Sequence, residues 1–164
     1  SPMSRGLGDV YKRQVFKHVY KSPVGNVIIL IEEDFLTSLS FLESTKNINI
    51  TKNPIKFKHI VAQLDEYFYE GRKSFELDYK LKSTNFREKI YTLMSKIPYG
   101  KTISYADLAK QAGKPLAYRA VGTACGKNPL PLIIPCHRVI SQQGLGGFTG
   151  GLKIKKFLLN LEKN

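Results

Sequence analysis

From Val15 to Phe41 apolar and polar side chains alternate with a period of two, the pattern of half-buried β-strands. VFKHVYKS is the first such run, SPVG supplies a turn, NVIILIEED is a second and more continuously apolar run, and FLTSLSFLE is a third. STKNINITKNP is polar and reads as a loop, with Pro54 as its punctuation. From Pro54 the period becomes helical. Ile60, Leu64, Tyr67 and Phe68 share one face, Pro54 suits a helix start and Gly71 a helix stop. The first unit is therefore expected to be a small antiparallel sheet with one helix. Its lone histidines, His18 and His59, read as surface or packing residues.

The second unit begins near Ser83. NFREKIYTLMSKIP has Phe86, Ile90, Leu93, Met94 and Ile97 on one side, with Asn85 and Glu88 spaced as a capping box and Pro98 as the stop. SYADLAKQAG follows, with Ser104 as N-cap, Asp107 three residues on as its capping partner, and Gly113 just past the end. KPLAYRAVGTACGKN predicts another short helix from Pro115 to Gly126, rich in small residues (Ala117, Ala120, Gly122, Ala124), with Arg119 among them. Two short helices joined by a glycine-containing turn have the form of a helix-turn-helix. NPLPLIIPCHRVI reads as extended, QQGLGGFTGG as a glycine loop, and GLKIKKFLLNLEKN as a closing helix. In that helix Leu152, Phe157, Leu158 and Leu161 are expected inward and the lysines outward. Residues 1–14 show no apolar periodicity and resemble a translated cloning segment. They are expected to form a non-native or disordered tail.

Composition sharpens this. Of 164 residues, 42% are hydrophobic and 24% charged, as in a soluble globular protein. The longest apolar run, Val27 to Ile31, is far short of a membrane span. No CxxC occurs, so a thiolate zinc cage is not expected, and the two cysteines are too few for a disulfide scaffold. A reducing, cytoplasmic setting fits. Residues 83–164 hold 13 of the 26 basic side chains but only 3 of the 13 acidic ones. That asymmetry fits a polyanionic partner, and equally a solvated basic face.

The second unit also holds the candidate chemistry. Cys136 stands between Pro135 and the pair His137–Arg138. A thiol attacks as thiolate, and a neighbouring base or cation favours that form. His137 is adjacent, but side chains alternate in an extended segment, so its help to Cys136 needs a bent backbone or a bridging water. A histidine acting as base also needs an orienting group. Glu88 and Asp107 are accounted for as caps, which leaves Glu162, although spacing alone does not place it at His137. The plain alternative for Cys136 is a small buried hydrophobe, and that reading suits Cys125 on its alanine-rich helix. A cysteine-protease arrangement lacks a histidine after His137.

PCHRV at 135–139 resembles the active-site signature of the O6-alkylguanine-DNA alkyltransferases. The resemblance extends through IPYGKTISYADLA, RAVGTACGKNPLPLIIPCHRVI and GGFTGGLKIKKFLLNLE, in order over residues 85–162. It implies an α+β, two-domain fold: a small ribonuclease-H-like α/β domain over 15–82, then a mostly helical winged helix-turn-helix DNA-binding domain over 83–164. It implies irreversible, single-turnover transfer of an alkyl group from guanine O6 in double-stranded DNA to Cys136, with O4-alkylthymine a further candidate substrate, and no cofactor and no metal.

Carried over by position, His137 is the base, acting through water and oriented by Glu162. Asn128 ties the turn bearing the active-site segment. Tyr105 donates toward the guanine. Arg119 fills the space left by the extruded nucleotide, and the small residues Ala117, Ala120 and Gly122 let that helix enter the minor groove. Pro135, Val139, Phe148 and Thr149 line the guanine pocket, Phe148 standing where the family often has tyrosine. A monomer is expected, with cooperative clustering on DNA left open and a nucleoid association if bacterial. The other reading is a non-catalytic, alkyltransferase-like lesion binder. Such relatives carry another residue in place of the cysteine.

Overall fold

The computed structural model describes residues 14–42, 48–50 and 53–164. The expectation for the first fourteen residues therefore falls outside the described residues except at Gln14, and much of the 44–54 loop does as well.

Strands β1 (Val15–Ser22), β2 (Gly25–Glu32) and β3 (Phe35–Leu42) form one antiparallel sheet in that order. Gly25, at φ 115°, turns β1 into β2 where SPVG was expected to. Glu33 and Asp34, at φ 52° and 66°, make the second hairpin turn without any glycine to mark it in the sequence. Helix α1 (Pro54–Glu70) covers the sheet, starting at proline and closing on a left-handed Gly71. Phe57, Ile60, Leu64, Tyr67 and Phe68 face Val27, Ile29, Ile31, Leu36 and Leu39 in the core. Each aliphatic or aromatic side chain so buried contributes roughly 1.5–3 kcal/mol.

The second half is built from α2 (Asn85–Met94), α3 (Tyr105–Gln111), α4 (Tyr118–Gly126) and α5 (Leu152–Lys163). Two-residue strands β4 (Ile103–Ser104) and β5 (Val139–Ile140) pair in parallel. Three boundaries differ from the sequence pattern. The cap of α2 is Thr84, whose hydroxyl accepts from Arg87 N, and not Asn85. The helix ends at Met94, well before Pro98, and Ile97 reaches the core from the turn that follows. Helix α4 begins at Tyr118, because Pro115 and Leu116 occupy a separate turn closed by Ala117 N to Lys114 O. Ser104 caps α3 as expected, accepting from Asp107 N at 3.0 Å.

The halves share one continuous apolar cluster. The free edge of β3 carries further backbone bonds. Leu36 pairs within the first half, with Asp78 and Lys80, and Leu39 N reaches the second half, donating to Pro129 O at 2.9 Å. The last of these bonds anchors the start of the cysteine-bearing segment to the sheet. No helix among the described residues is long and apolar enough to cross a membrane.

Candidate active site

The segment from Pro129 to Arg138 is not extended, and only Val139 and Ile140 of β5 are. It runs through tight turns into a 3-10 turn at Cys136–Arg138, with Leu132 at φ 75°. Prolines at 129, 131 and 135 withhold backbone donors from any ladder. Asn128 takes over that function from the side. Its Oδ1 accepts from Leu130 N at 2.9 Å and its Nδ2 donates to Ile134 O at 2.8 Å. The backbone is thereby bent at the point where a straight strand would have pointed Cys136 and His137 to opposite faces.

Behind this turn lies a buried charged cluster centred on Glu162 of α5. Glu162 Oε2 accepts from His137 Nε2 at 2.5 Å and from the Tyr67 hydroxyl at 2.6 Å. Its Oε1 accepts from Arg138 Nε at 2.7 Å and from Gly100 N at 3.2 Å. Arg138 Nη1 donates onward to Ile97 O at 2.8 Å. Burial alone would raise the carboxyl pKa, but the bonds from His137 and Arg138 outweigh it and hold Glu162 well below the usual carboxylate range. Burial lowers the His137 pKa, with Arg138 adding to the effect, so the ring is neutral. A carboxylate only accepts, so the neutral ring carries its proton on Nε2. Nδ1 is left as a bare acceptor, buried and without a protein partner among the described residues.

In front of the turn Cys136, 4% exposed, walls a cavity of about 450 Å³ together with Tyr105, Gly122, Cys125, Phe148 and Thr149. Burial raises the Cys136 pKa, while the Asn128 side chain and the Lys155 ammonium act the other way. Cys125 shares the cavity, but burial pushes its thiol up to about 12, and no base faces it. The cavity's far wall is a glycine loop. Tyr105 places its hydroxyl 3.2 Å from Gly147 N and 3.4 Å from Gly147 O. Gly146 sits at φ 72°, and a Cβ there would lie 2.7 Å from the Tyr105 ring, so only glycine fits. Thr149 Oγ1 donates to Gly126 O at 2.8 Å, and the Phe148 ring lies 6.0 Å from Phe41.

These are the surroundings of a nucleophilic thiol: an oriented neutral base, a concave front and no carboxylate among the cavity-lining residues. The comparisons agree with that chemistry. The family model described as the ribonuclease-like domain of 6-O-methylguanine DNA methyltransferase matches residues 15–81, and that described as its DNA binding domain matches residues 85–164. The chain belongs to the 6-O-methylguanine DNA methyltransferase family.

A methylated-DNA–protein-cysteine methyltransferase from Methanosarcina barkeri is 40% identical over 155 residues, covering 92% of this chain and 98% of that protein. One from Mycobacterium tuberculosis is 40% identical over 147 residues, covering 87% and 89%. The crystal structure of the M. tuberculosis O6-methylguanine methyltransferase superposes with a TM-score of 0.82 at 37% identity, covering 92% and 93%. The crystal structure of the M. tuberculosis protein in complex with DNA gives 0.83 at 40% identity, covering 91% and 93%.

Of the methyltransferase-family residues expected from sequence, Cys136, His137, Glu162, Asn128 and Tyr105 converge around the turn. Phe148 and Thr149 line the cavity, while Pro135 and Val139 are buried in the turn itself and do not line it. Arg119 and Ala120 are exposed on α4, Ala117 is half-buried at its cap, and Gly122 faces the cavity.

Two residues escaped the sequence reading. Tyr67 counted as a core aromatic, yet its hydroxyl is a buried donor to Glu162. A tyrosine on a helix's buried face needs a polar partner, and that was the available signal. Lys155 was placed outward with the other lysines of α5, yet it is 0% exposed. Its ammonium donates to Val139 O at 2.7 Å and Gly147 O at 2.9 Å, stitching the cysteine segment to the glycine loop. Burial lowers its pKa and the two thiols oppose that. Its helical phase relative to Leu158 and Glu162 places it on the inner face. Conversely Leu152 and Phe157, expected inward, are 51% and 37% exposed.

Proposed function

We propose that this protein repairs DNA by moving the alkyl group of O6-alkylguanine onto Cys136, once per molecule. The observation that carries the reading is the bare His137 Nδ1, fixed by Glu162, on the turn that presents Cys136 to the cavity. The thiol proton passes through a water to His137 Nδ1. Cys136 Sγ forms a bond to the alkyl carbon as the carbon–O6 bond breaks, and the bonding pair stays on the guanine. Tyr105 donates toward the guanine and stabilises that charge. The product is a thioether, which no group of the site reverses, so the protein is consumed. The carboxylate of Glu162 stabilises the imidazolium that forms for a moment.

The O6 atom of a paired guanine lies on the major-groove edge of a stacked base, whereas Cys136 is recessed, so the nucleotide must be extruded into the 450 Å³ cavity. Helices α3 and α4, with the small β4–β5 ladder, act as a winged helix-turn-helix. The small residues of α4 suit the minor groove, and Arg119 offsets part of the unstacking cost by filling the gap. The basic second half meets the phosphates. The reacting unit is read as a monomer acting in the cytoplasm, a reducing setting that suits two free cysteines. A non-catalytic binder is not favoured, because the thiol is present with its base and carboxylate behind it. Incubation with duplex DNA containing one O6-methylguanine should add one methyl group to the intact protein, and Cys136→Ala should gain none. An unmodified protein that still binds the lesion refutes the reading.

A further inference from the structure

Helix α4 presents three faces. Val121 and Ala124 point into the core, and Arg119, Ala120 and Thr123 point to solvent. The third face carries Gly122, Cys125 and Gly126, which line the cavity beside Cys136. Tyr118 lies four residues before Gly122, one helical turn away on that same face. It is 47% exposed, and among the described residues its ring stacks on no other and its hydroxyl has no hydrogen-bond partner. Gly122 leaves the space between them open: a Cβ added there meets nothing within 4 Å. An unpartnered aromatic ring thus stands one helical turn from the cavity-lining Gly122, next in sequence to Arg119.

We propose that Tyr118 stacks its ring against the extruded nucleotide as it crosses the rim, holding it out of the duplex and directing it to Cys136. The proposal rests on the alkyl-transfer reading and extends it with a residue whose chemistry suits any base, since every base offers a π-face. Arg119 occupies the gap in the duplex and Tyr118 grips what left the gap. Their neighbouring positions on α4, about 100° apart around the axis, let one helix do both. Nothing in the core needs a tyrosine here, and the open space at Gly122 leaves the ring free to swing toward the cavity.

The experiment compares two substrates under single-turnover conditions: duplex DNA with one O6-methylguanine, and the free base O6-benzylguanine, which enters the cavity without extrusion. Tyr118→Ala should slow transfer from the duplex about tenfold, the scale of one base–aromatic stack. It should leave transfer from the free base within about twofold of the unsubstituted protein. Tyr118→Phe, which keeps the ring, should restore the duplex rate. Equal slowing on both substrates would assign Tyr118 to the cavity wall and overturn the proposal, as would an unchanged duplex rate. Were the unsubstituted protein to transfer nothing from either substrate, the alkyl-transfer reading itself would fall, and the role of Tyr118 with it.

Discussion

The ground behind Cys136 and the ground in front of it are made differently. Behind, one carboxylate gathers four donor residues from three parts of the chain: Tyr67 of α1, Gly100, and the neighbours His137 and Arg138. The side chains of Tyr67, His137, Arg138 and Glu162 are all buried, and each partner depends on the others. In front, the cavity is lined by glycines, two thiols and a few side chains whose bonds run to loop backbone. The rear fixes a proton acceptor at one place, because among the network's buried side-chain atoms only His137 Nδ1 lacks a protein partner. The front must admit a nucleotide, and open space with small residues serves that purpose. Catalytic geometry and substrate entry are thus separated by the thickness of a single 3-10 turn.

If the division is real, rear substitutions should damage fold and chemistry together, and front substitutions should damage only the reaction with DNA. Glu162→Gln should have the largest effect. It leaves Arg138 buried without its counter-charge, a change that costs about 3–5 kcal/mol in comparable buried pairs. Chemical denaturation should show that loss, and single-turnover transfer should fall at least about a hundredfold because His137 loses its orienting acceptor. Lys155→Met keeps the stem and removes the ammonium from Val139 O and Gly147 O. The loss should be about 1–3 kcal/mol for the buried Val139 carbonyl and less for the part-buried one of Gly147, with a slower transfer that O6-benzylguanine reports as clearly as DNA.

Acid should act on the rear as well. His137 has its pKa lowered in the fold, so the unfolded chain binds the proton first and stability falls as pH drops below the ordinary value of 6.5. Glu162, also lowered, adds a second loss as pH falls below its ordinary 4.5. Denaturation midpoints followed downward from neutral pH should decline in that order, and a midpoint flat to pH 4 would contradict the buried neutral histidine. Arg119→Ala should have the smallest effect on the fold, within about 0.5 kcal/mol. It should still slow transfer from duplex DNA while sparing the free base.

The same division governs how much the sequence revealed. The sheet and α1 follow from side-chain alternation and helical period, because burial on one face is a repeating, local demand. The family signature located Cys136, His137 and Glu162, yet the shape of the turn around them was misread as extended. The resemblance names Asn128 as the tie of that turn, but the bond from Leu39 N to Pro129 O, which joins distant parts of the chain, has no local pattern to encode it. Residue type alone sends Lys155 outward, against its helical phase, while the phase that sends Tyr67 inward tells only which way it points. What each meets there is decided by other elements: the glycine loop for Lys155, α5 for Tyr67.

The two cysteines share one cavity, and the whole account depends on their being unequal. Cys136 has the base behind it and Asn128 beside it, whereas Cys125 has a thiol pushed up to about 12 and no base. The direct test is to react the protein once with duplex DNA carrying a single labelled O6-methylguanine, digest it, and locate the label by peptide mass. The account predicts the methyl group on the peptide holding Cys136 and none on that holding Cys125. A methyl group on Cys125, or on neither, would contradict it.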